Sequence, residues 1–418
     1  MRLPAMSPKR GSAARCAHAV IAPNRARVPG EAPNMTRVLE LLVSLVIVFV
    51  LAVLVGVILP SHGHLERTVE VSSPLRQIFD SVDTFHRFPE WAAQRRIDPQ
   101  TKFTLAGPEA GQGAKVTWQS TAPQVGDGSL TIATAEQDSK VTMTLDNAWA
   151  GENKSYTITL LPAQNGKTVN INWAYDADYG WNLIWRYAGL YIHGDPATQI
   201  QLNLSNIAAM LASFPNVDYK DVKIDVTDVT SKPVLIVATK AKRTLDDVAE
   251  ATDTAMKQIE AVMKKAGLNA AGPRMTITTN WGEEDYAFSV AVPVDQTTFT
   301  MDKNSYTIES PAPKASSTGD EDENQTFKPG DKDNDGLLVL DDHVRAALWY
   351  QGKALVTEYT GSPAQLPLLR LMEKAYAETH GYPYAEMGTG RFWDELTSAP
   401  DAPEDQQTFK VYLPIQTQ

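Results

Sequence analysis

Trp393, Asp394 and Glu395 set an indole beside two carboxylates in the segment RFWDEL. On a strand, neighbouring side chains point to opposite faces, so one acid would face a cleft and the other solvent. Trp393 then shares a face with Glu395, two residues on, and Glu395 is the expected cleft acid. Trp281, Glu283, Tyr286, Tyr359 and Tyr384 supply further aromatic and acidic groups. A carboxylate flanked by rings receives a cationic or polar ligand through charge and cation–π attraction. For Glu283, Glu284 and Asp285 the competing reading is a hairpin tip in water.

DKDNDG places Asp331, Asp333 and Asp335 at the first, third and fifth positions of a calcium-loop pattern, with Gly336 sixth and Asp342 twelfth. The pattern is incomplete. Asp replaces the bidentate Glu, Val339 takes the ninth place, and KPG precedes the loop where a helix should enter. A solvated acidic turn is the better reading, and no metal or other cofactor is expected. The chain has seven histidines but no HExxH, no GxSxG elbow, no GxxxxGK phosphate loop and no GxGxxG at a strand-helix junction. Catalysis therefore finds little support. Trp118, Trp173 and Trp185 belong to an aromatic-rich first half, in which core packing and ligand lining compete as explanations. The segment WNLIWRYAGLYI also reads as a surface that dips into a membrane, a weak reading because Arg186 is its one cation.

The elements that would position these groups follow from periodicity. LERTVEVSS reads as a strand, and LRQIFDSVDTFHRFPEW after Pro74 reads as a helix. TKFTLAG, AKVTWQS, GSLTIATAE, KVTMTLDN, KSYTITLLP and TVNINWAYD read as strands, with Asn165-Gly166 suited to a hairpin. ATQIQLNLSNIAAMLASF closes the set as a helix with Ile200, Leu204, Ile207, Met210 and Leu211 on one face. From Val217 the chain repeats a strand-helix-strand-strand order. SKPVLIVATKAK, TLDDVAEATDTAMKQIEAVMKKAGL, RMTITTNW and YAFSVAVPV form one unit; QGKALVTEYTG, SPAQLPLLRLMEKAYAETHGY, GRFWDEL and TFKVYLPI form the other. Thr244 with Asp247 and Ser362 with Gln365 read as capping boxes, and Gly267 and Gly381 as C-terminal caps.

Residues 65–214 carry a resemblance. SSPLRQIFDSVDTFHRFPEW, GPEAGQGAKVTWQS, GDGSLTIAT and YGWNLIWRYAGLYIHGDPATQIQLNLSNIAAM resemble the SRPBCC family of START-like and polyketide-cyclase-like domains. The resemblance implies a helix-grip fold with an apolar ligand cavity, and not by itself an enzyme. Residues 217–418 resemble the GyrI-like small-molecule-binding domain through KPVLIVATKAK, AGLNAAGPRMTI, VAVPV, KALVTEYTGSPAQLP, ETHGY, RFWDELTSAP and FKVYLPI. That resemblance implies a cleft between two helices, lined by an acid and aromatics of the second unit. Trp393 is followed by Asp394 where a Trp-Glu pair is more common. Residues 309–336 are an acidic, proline-dotted insertion between the units, read as a mobile loop.

Leu41 to Leu59 is a run of 19 residues without a charge, about what a helix needs to cross a bilayer. Residues 38–60 are thus an expected membrane anchor, with a cleaved signal peptide as the competing reading. Arg25, Arg27 and Arg37 precede the run and no Lys or Arg follows it closely. That bias puts the N-terminus in the cytoplasm and the rest outside, in a bacterium the periplasm beyond the inner membrane. Residues 1–37 read as a disordered or mispredicted extension, Met35 opening a more typical start. The one cysteine, Cys16, lies there, so no disulfide framework is expected beyond the anchor. Residues 1–34 hold six of the 38 Lys/Arg and one of the 50 Asp/Glu, which leaves 32 bases against 49 acids in the rest. Such a surface argues against a nucleic-acid partner. The expected class is α+β: a transmembrane helix, a helix-grip antiparallel sheet domain, then a duplicated GyrI-like domain. The expected function is small-molecule binding for sensing, sequestration or delivery. A hydrolase or cyclase using Glu395 or Asp394, and a module of an envelope complex with an unknown protein partner, are the alternatives.

Overall fold

The computed structural model describes residues 35–163, 166–282, 284–311, 327–385 and 391–416. The N-terminal tail with Cys16, the Asn165 corner, Glu283 and residues 312–326 of the acidic insertion lie outside the described residues. The chain divides into two compact units, Met1–Ile58 and Leu59–Gln418. In the first, α1 (Met35–Ile58) is a helix of 24 residues, about 36 Å long at 1.5 Å per residue. Among the described residues it is the one helix long and apolar enough to cross a membrane.

The second unit begins with β1 (His62–Val71), α2 (Leu75–Val82), α3 (Phe88–Trp91) and α4 (Ala93–Ile97). The strands β2 (Lys102–Ala106), β3 (Lys115–Gln119), β4 (Gly128–Glu136), β5 (Lys140–Asn147), β6 (Glu152–Ala163) and β7 (Thr168–Asp178) follow. α5 (Leu183–Gly189) and α6 (Asp195–Ser213) complete this half. The sheet is antiparallel, in the order β1-β7-β6-β5-β4-β3-β2. Ile200, Leu204 and Ile207 of α6 are buried with the inward residues of every strand but β2, whose Phe103 packs beside them. Burial of these alternating faces is the main force holding helix to sheet. The expected helix over residues 75–91 is broken. Its first part ends where the Asp83 N–H donates to the Phe79 carbonyl, and Thr84 leaves to bridge Ala110. Pro89 then sits in the first turn of a new helix, the position that tolerates a missing N–H.

The other half comprises β8 (Ile224–Val229), β9 (Pro233–Lys242), α7 (Leu245–Ala266), β10 (Met275–Trp281), β11 (Asp285–Pro293), β12 (Thr298–Met301) and β13 (Asn304–Thr307). It continues with β14 (Leu338–Val339), β15 (Val344–Leu348), β16 (Gly352–Thr360), α8 (Leu366–His380), β17 (Trp393–Leu396) and β18 (Thr408–Pro414). Nine of the strands form one antiparallel sheet, β14-β15-β9-β11-β10-β17-β18-β16-β8. α7 lies on β9 and β11, α8 on β16 and β18. The Thr244 hydroxyl accepts from the Asp247 N–H and caps α7, whereas Ser362 caps a short 3₁₀ turn that precedes α8. Gly267 and Gly381 close the two helices at φ 67° and 73°, a conformation that glycine adopts without strain. At the end of the acidic insertion the Gly330 N–H donates to the Val339 carbonyl of β14, and the Val339 N–H to the Asp331 carbonyl.

Polar contacts join the two halves. Asp80, buried on α2, accepts from Arg76 Nε and from the Tyr219 hydroxyl, both at 2.9 Å. Arg87 donates to the Glu378 carboxylate and main-chain carbonyl at the end of α8, each at 2.7 Å.

Candidate functional site

A cleft of about 590 Å³ opens on the helix-bearing face of the nine-stranded sheet, between α7 and α8. Its sheet side is built by alternation. Met275 and Ile277 of β10 are buried against Trp349 and Trp393 on the far face, so Arg274 and Thr276 turn into the cleft. The register with β11 shifts between Thr278 and Asn280, leaving Thr279 as an extra residue. This bulge brings Trp281 opposite Tyr286 and onto the cleft face. Their rings meet edge to face at 4.8 Å, and Arg243 lies 4.2 Å over the Trp281 ring.

The register Thr276↔Asp394 places Asp394 on that same face. It accepts a hydrogen bond from Arg370 of α8, a buried ion pair at the cleft floor. Tyr286 packs against this pair, and burial raises its hydroxyl pKa, with Asp394 adding and Arg370 opposing. Arg274 makes no ion pair or side-chain hydrogen bond among the described residues, and its Nε is buried without a partner. Burial lowers the pKa of its guanidinium, against the attraction of Asp394 and Asp253. Beneath the cleft Glu373 is 0% exposed. Burial raises its pKa well above the ordinary carboxyl value, with Thr357 and Arg370 opposing and Asp394 adding to the shift. The floor thus holds the Arg370–Asp394 pair and a second guanidinium, Arg274. Asp246, Asp253 and Glu404 stand around it as the acids of the wall and rim.

Of the expected residues, Trp281, Tyr286 and Asp394 meet in this cleft. Glu395 does not. The structure corrects the assignment of the cleft acid: Trp393 and Glu395 do share a face, but it is the face away from the helices. There Glu395 accepts from the Tyr412 hydroxyl at 3.2 Å and lies 3.9 Å from Lys232 Nζ, while Trp393 stacks on Tyr412 at 4.7 Å. Tyr359 packs beside Leu366 and Leu369. Tyr384 donates to Glu378 and lines a separate crevice of about 420 Å³ with His86 and Arg87. Arg274 and Arg370 were missed. Arg274 shares strand parity with Thr276, a signal that was present. Arg370 and Glu373, three residues apart on a helix, carry no sequence signal that sets them apart from a surface pair.

In the first half, Trp118 and Trp173 are core. Trp173 meets Trp91 at 5.8 Å and Tyr156 at 5.2 Å, and Trp118 stacks on Phe88 at 6.2 Å. Both are closed off from solvent, so they do not line an open cavity. The indole N–H groups of Trp91, Trp118 and Trp173 nonetheless lack an acceptor. Trp185 packs part-buried against the same core. In the DKDNDG turn the Asp333 carboxylate accepts from the Asp335 and Leu337 amides and pairs with Arg345 at 3.3 Å. Asp331 accepts from the Lys328 amide. Asp331 and Asp333 are engaged in the turn, and the calcium pattern of Asp331, Asp333, Asp335 and Asp342 does not converge. Among the described residues no group of three or more acids, histidines or cysteines could hold a metal ion.

The chain matches no protein-family model, and no curated protein matches it. Solved structures resemble parts of it. A protein from Nitrosospira multiformis is 16% identical over 36% of this chain and 97% of its own, at a TM-score of 0.27. Norcoclaurine synthase of Thalictrum flavum, a point mutant with a transition-state analogue, is 11% identical over 36% of this chain and 94% of its own, at 0.29. The C-terminal domain of EcmrR is 8% identical over 47% of this chain and 98% of its own, at 0.32.

Proposed function

We propose that this is a single-pass protein of the bacterial inner membrane, anchored by α1, that binds a small amphiphilic molecule in the cleft between α7 and α8 and exposes both folded halves to the periplasm. The observation that carries the reading is the cleft itself. It has the size of a small-molecule site, with the aromatic rings of Trp281 and Tyr286 beside an unpaired guanidinium, Arg274. An apolar body would lie along the rings and a polar head would meet Arg274. The strand order supports a duplicated, GyrI-like domain: β9-β11-β10 and β16-β18-β17 repeat one arrangement and meet at β10 and β17. A sheet closed by α6 supports the SRPBCC-like reading of residues 65–214. Binding without reaction is the favoured role, for sensing, sequestration or delivery. Asp394 is tied to Arg370 and Glu395 faces away, so neither is placed to activate water in the cleft.

The test is native mass spectrometry of the full chain released from nanodiscs. Ala249 lines the cleft and is exposed, so Ala249→Trp fills the site without disturbing the core. A co-purified small molecule on the parent chain, lost from Ala249→Trp, is the expected result. A molecule retained equally by both places the binding elsewhere.

A further inference from the structure

Between β7 and α6 the chain leaves four large apolar side chains in the open. Trp181 is 82% exposed, Ile184 78%, Leu190 57% and Tyr191 77%. Lone exposed apolar residues need no explanation, but four on one eleven-residue segment make a patch. The segment is firmly held. Asn182 caps α5 by accepting from the Ile184 and Trp185 amides at 3.1 and 3.2 Å. Trp185 turns inward to the core, and the buried Arg186 donates to the Gly180 carbonyl at 2.8 Å. Ile184 is the exposed apolar residue of the helix itself, and Trp181 before it with Leu190 and Tyr191 after it extend the exposed apolar surface.

The same contacts fix where the patch lies along the chain. Arg186 also donates to the Leu59 carbonyl at 3.3 Å, and the Tyr179 N–H donates to the Ser61 carbonyl at 2.7 Å. His62 pairs with Asp178, and Gly63 sits so close to the Tyr179 hydroxyl that a Cβ there would lie 2.4 Å from it. Leu59 is bonded to Ile58, the last residue of the spanning helix. The patch is therefore clamped to the first residues that leave the apolar span.

We propose that Trp181, Ile184, Leu190 and Tyr191 insert into the lipid interface as a second contact with the bilayer, which fixes the sheet against the membrane rather than leaving it on a free tether. Trp and Tyr are the side chains that the headgroup boundary favours, and Ile and Leu supply apolar area below them. The neighbouring charged groups are the buried Arg186, whose guanidinium lies 5.2 Å from the Trp181 ring centre, and the exposed Asp178–His62 and Asp176–His64 pairs, with Glu66 beside His64. An acidic surround does not attract anionic lipid, so insertion is apolar in origin and needs no anionic headgroup. The proposal rests on the anchor reading, and the test separates the two.

The full chain with Cys16→Ser, carrying one nitroxide at a time on Cys substituted for Trp181, Ile184, Leu105 or Ile47, is reconstituted in phosphatidylcholine nanodiscs. Leu105, exposed on β2, reports water, and Ile47, within α1, reports lipid. Electron paramagnetic resonance then compares relaxation by oxygen, which partitions into lipid, with that by a water-soluble nickel chelate. The expected result is an oxygen-to-nickel ratio at 181 and 184 several-fold above that at 105, together with 47. If 181 and 184 match 105 while 47 reads as lipid, the second contact is refuted and the anchor stands. If 47 also matches 105, the anchor fails and this proposal with it.

Discussion

Asp394 is paired, and that changes what substitution there does. Asp394→Asn leaves Arg370 as an uncompensated charge in a buried place, at a cost of about 3–5 kcal/mol. Chemical unfolding in detergent should show that loss, whereas Arg370→Met combined with Asp394→Leu should recover most of it. A neutral Asp394→Asn would mean that the pair is not formed. Glu373 gives a pH signature. Its folded pKa lies above the ordinary 4.5, so its native state holds a proton that the unfolded chain releases. Its contribution is complete below the unfolded value and is lost as pH rises through the folded one. Asp83, pushed up to about 6 by burial and by nearby Asp80, acts with the same sign. Glu373→Gln should flatten the fall of the thermal midpoint that sets in above about pH 4.5, and Asp83→Asn the fall between about pH 4 and about pH 6. A curve unchanged in both would show that neither acid is held neutral.

Among elements, the bulge in β10 precedes Trp281. Deleting Thr279 removes the extra residue yet keeps Trp281 opposite Tyr286 and, by alternation from Thr278, on the cleft face, so the direct probe of the ring is Trp281→Ala. That substitution should leave far-ultraviolet circular dichroism unchanged and remove the co-purified molecule seen by native mass spectrometry. Retained binding would show that Trp281 is dispensable. The bulge also marks how far the sequence could be read. Period-two patterns gave the strands of the first sheet and six of the nine in the second, and the caps at Thr244, Gly267 and Gly381 were legible because each needs a particular residue type. β8 was not legible, since its residues are mostly exposed and carry no alternation. Nor was the break after Val82, which depends on the distant partner Ala110. The choice between Asp394 and Glu395 failed for a related reason. Alternation shows that adjacent residues part, but which face receives the helices is set by the tertiary packing of α7 and α8.

For the whole molecule, the buried Asp80 contacts and Arg87–Glu378 tie residues 65–214 to residues 217–418. Arg87→Ala should raise protease sensitivity at the junction near Pro215 while leaving each sheet's core intact. Charge sets the expected topology: a reporter fused after Gln418 should be active only in a form that works outside the cytoplasm, because Arg25, Arg27 and Arg37 precede the apolar run over residues 41–59. A cytoplasm-only signal would invert the orientation. The central claim is that the cleft between α7 and α8 holds a small molecule. An experimental structure of the protein purified in mild detergent tests it most directly. The account predicts non-water density between Trp281, Tyr286 and Arg274; a cleft filled with water alone, beside a molecule bound elsewhere in the chain, would contradict it.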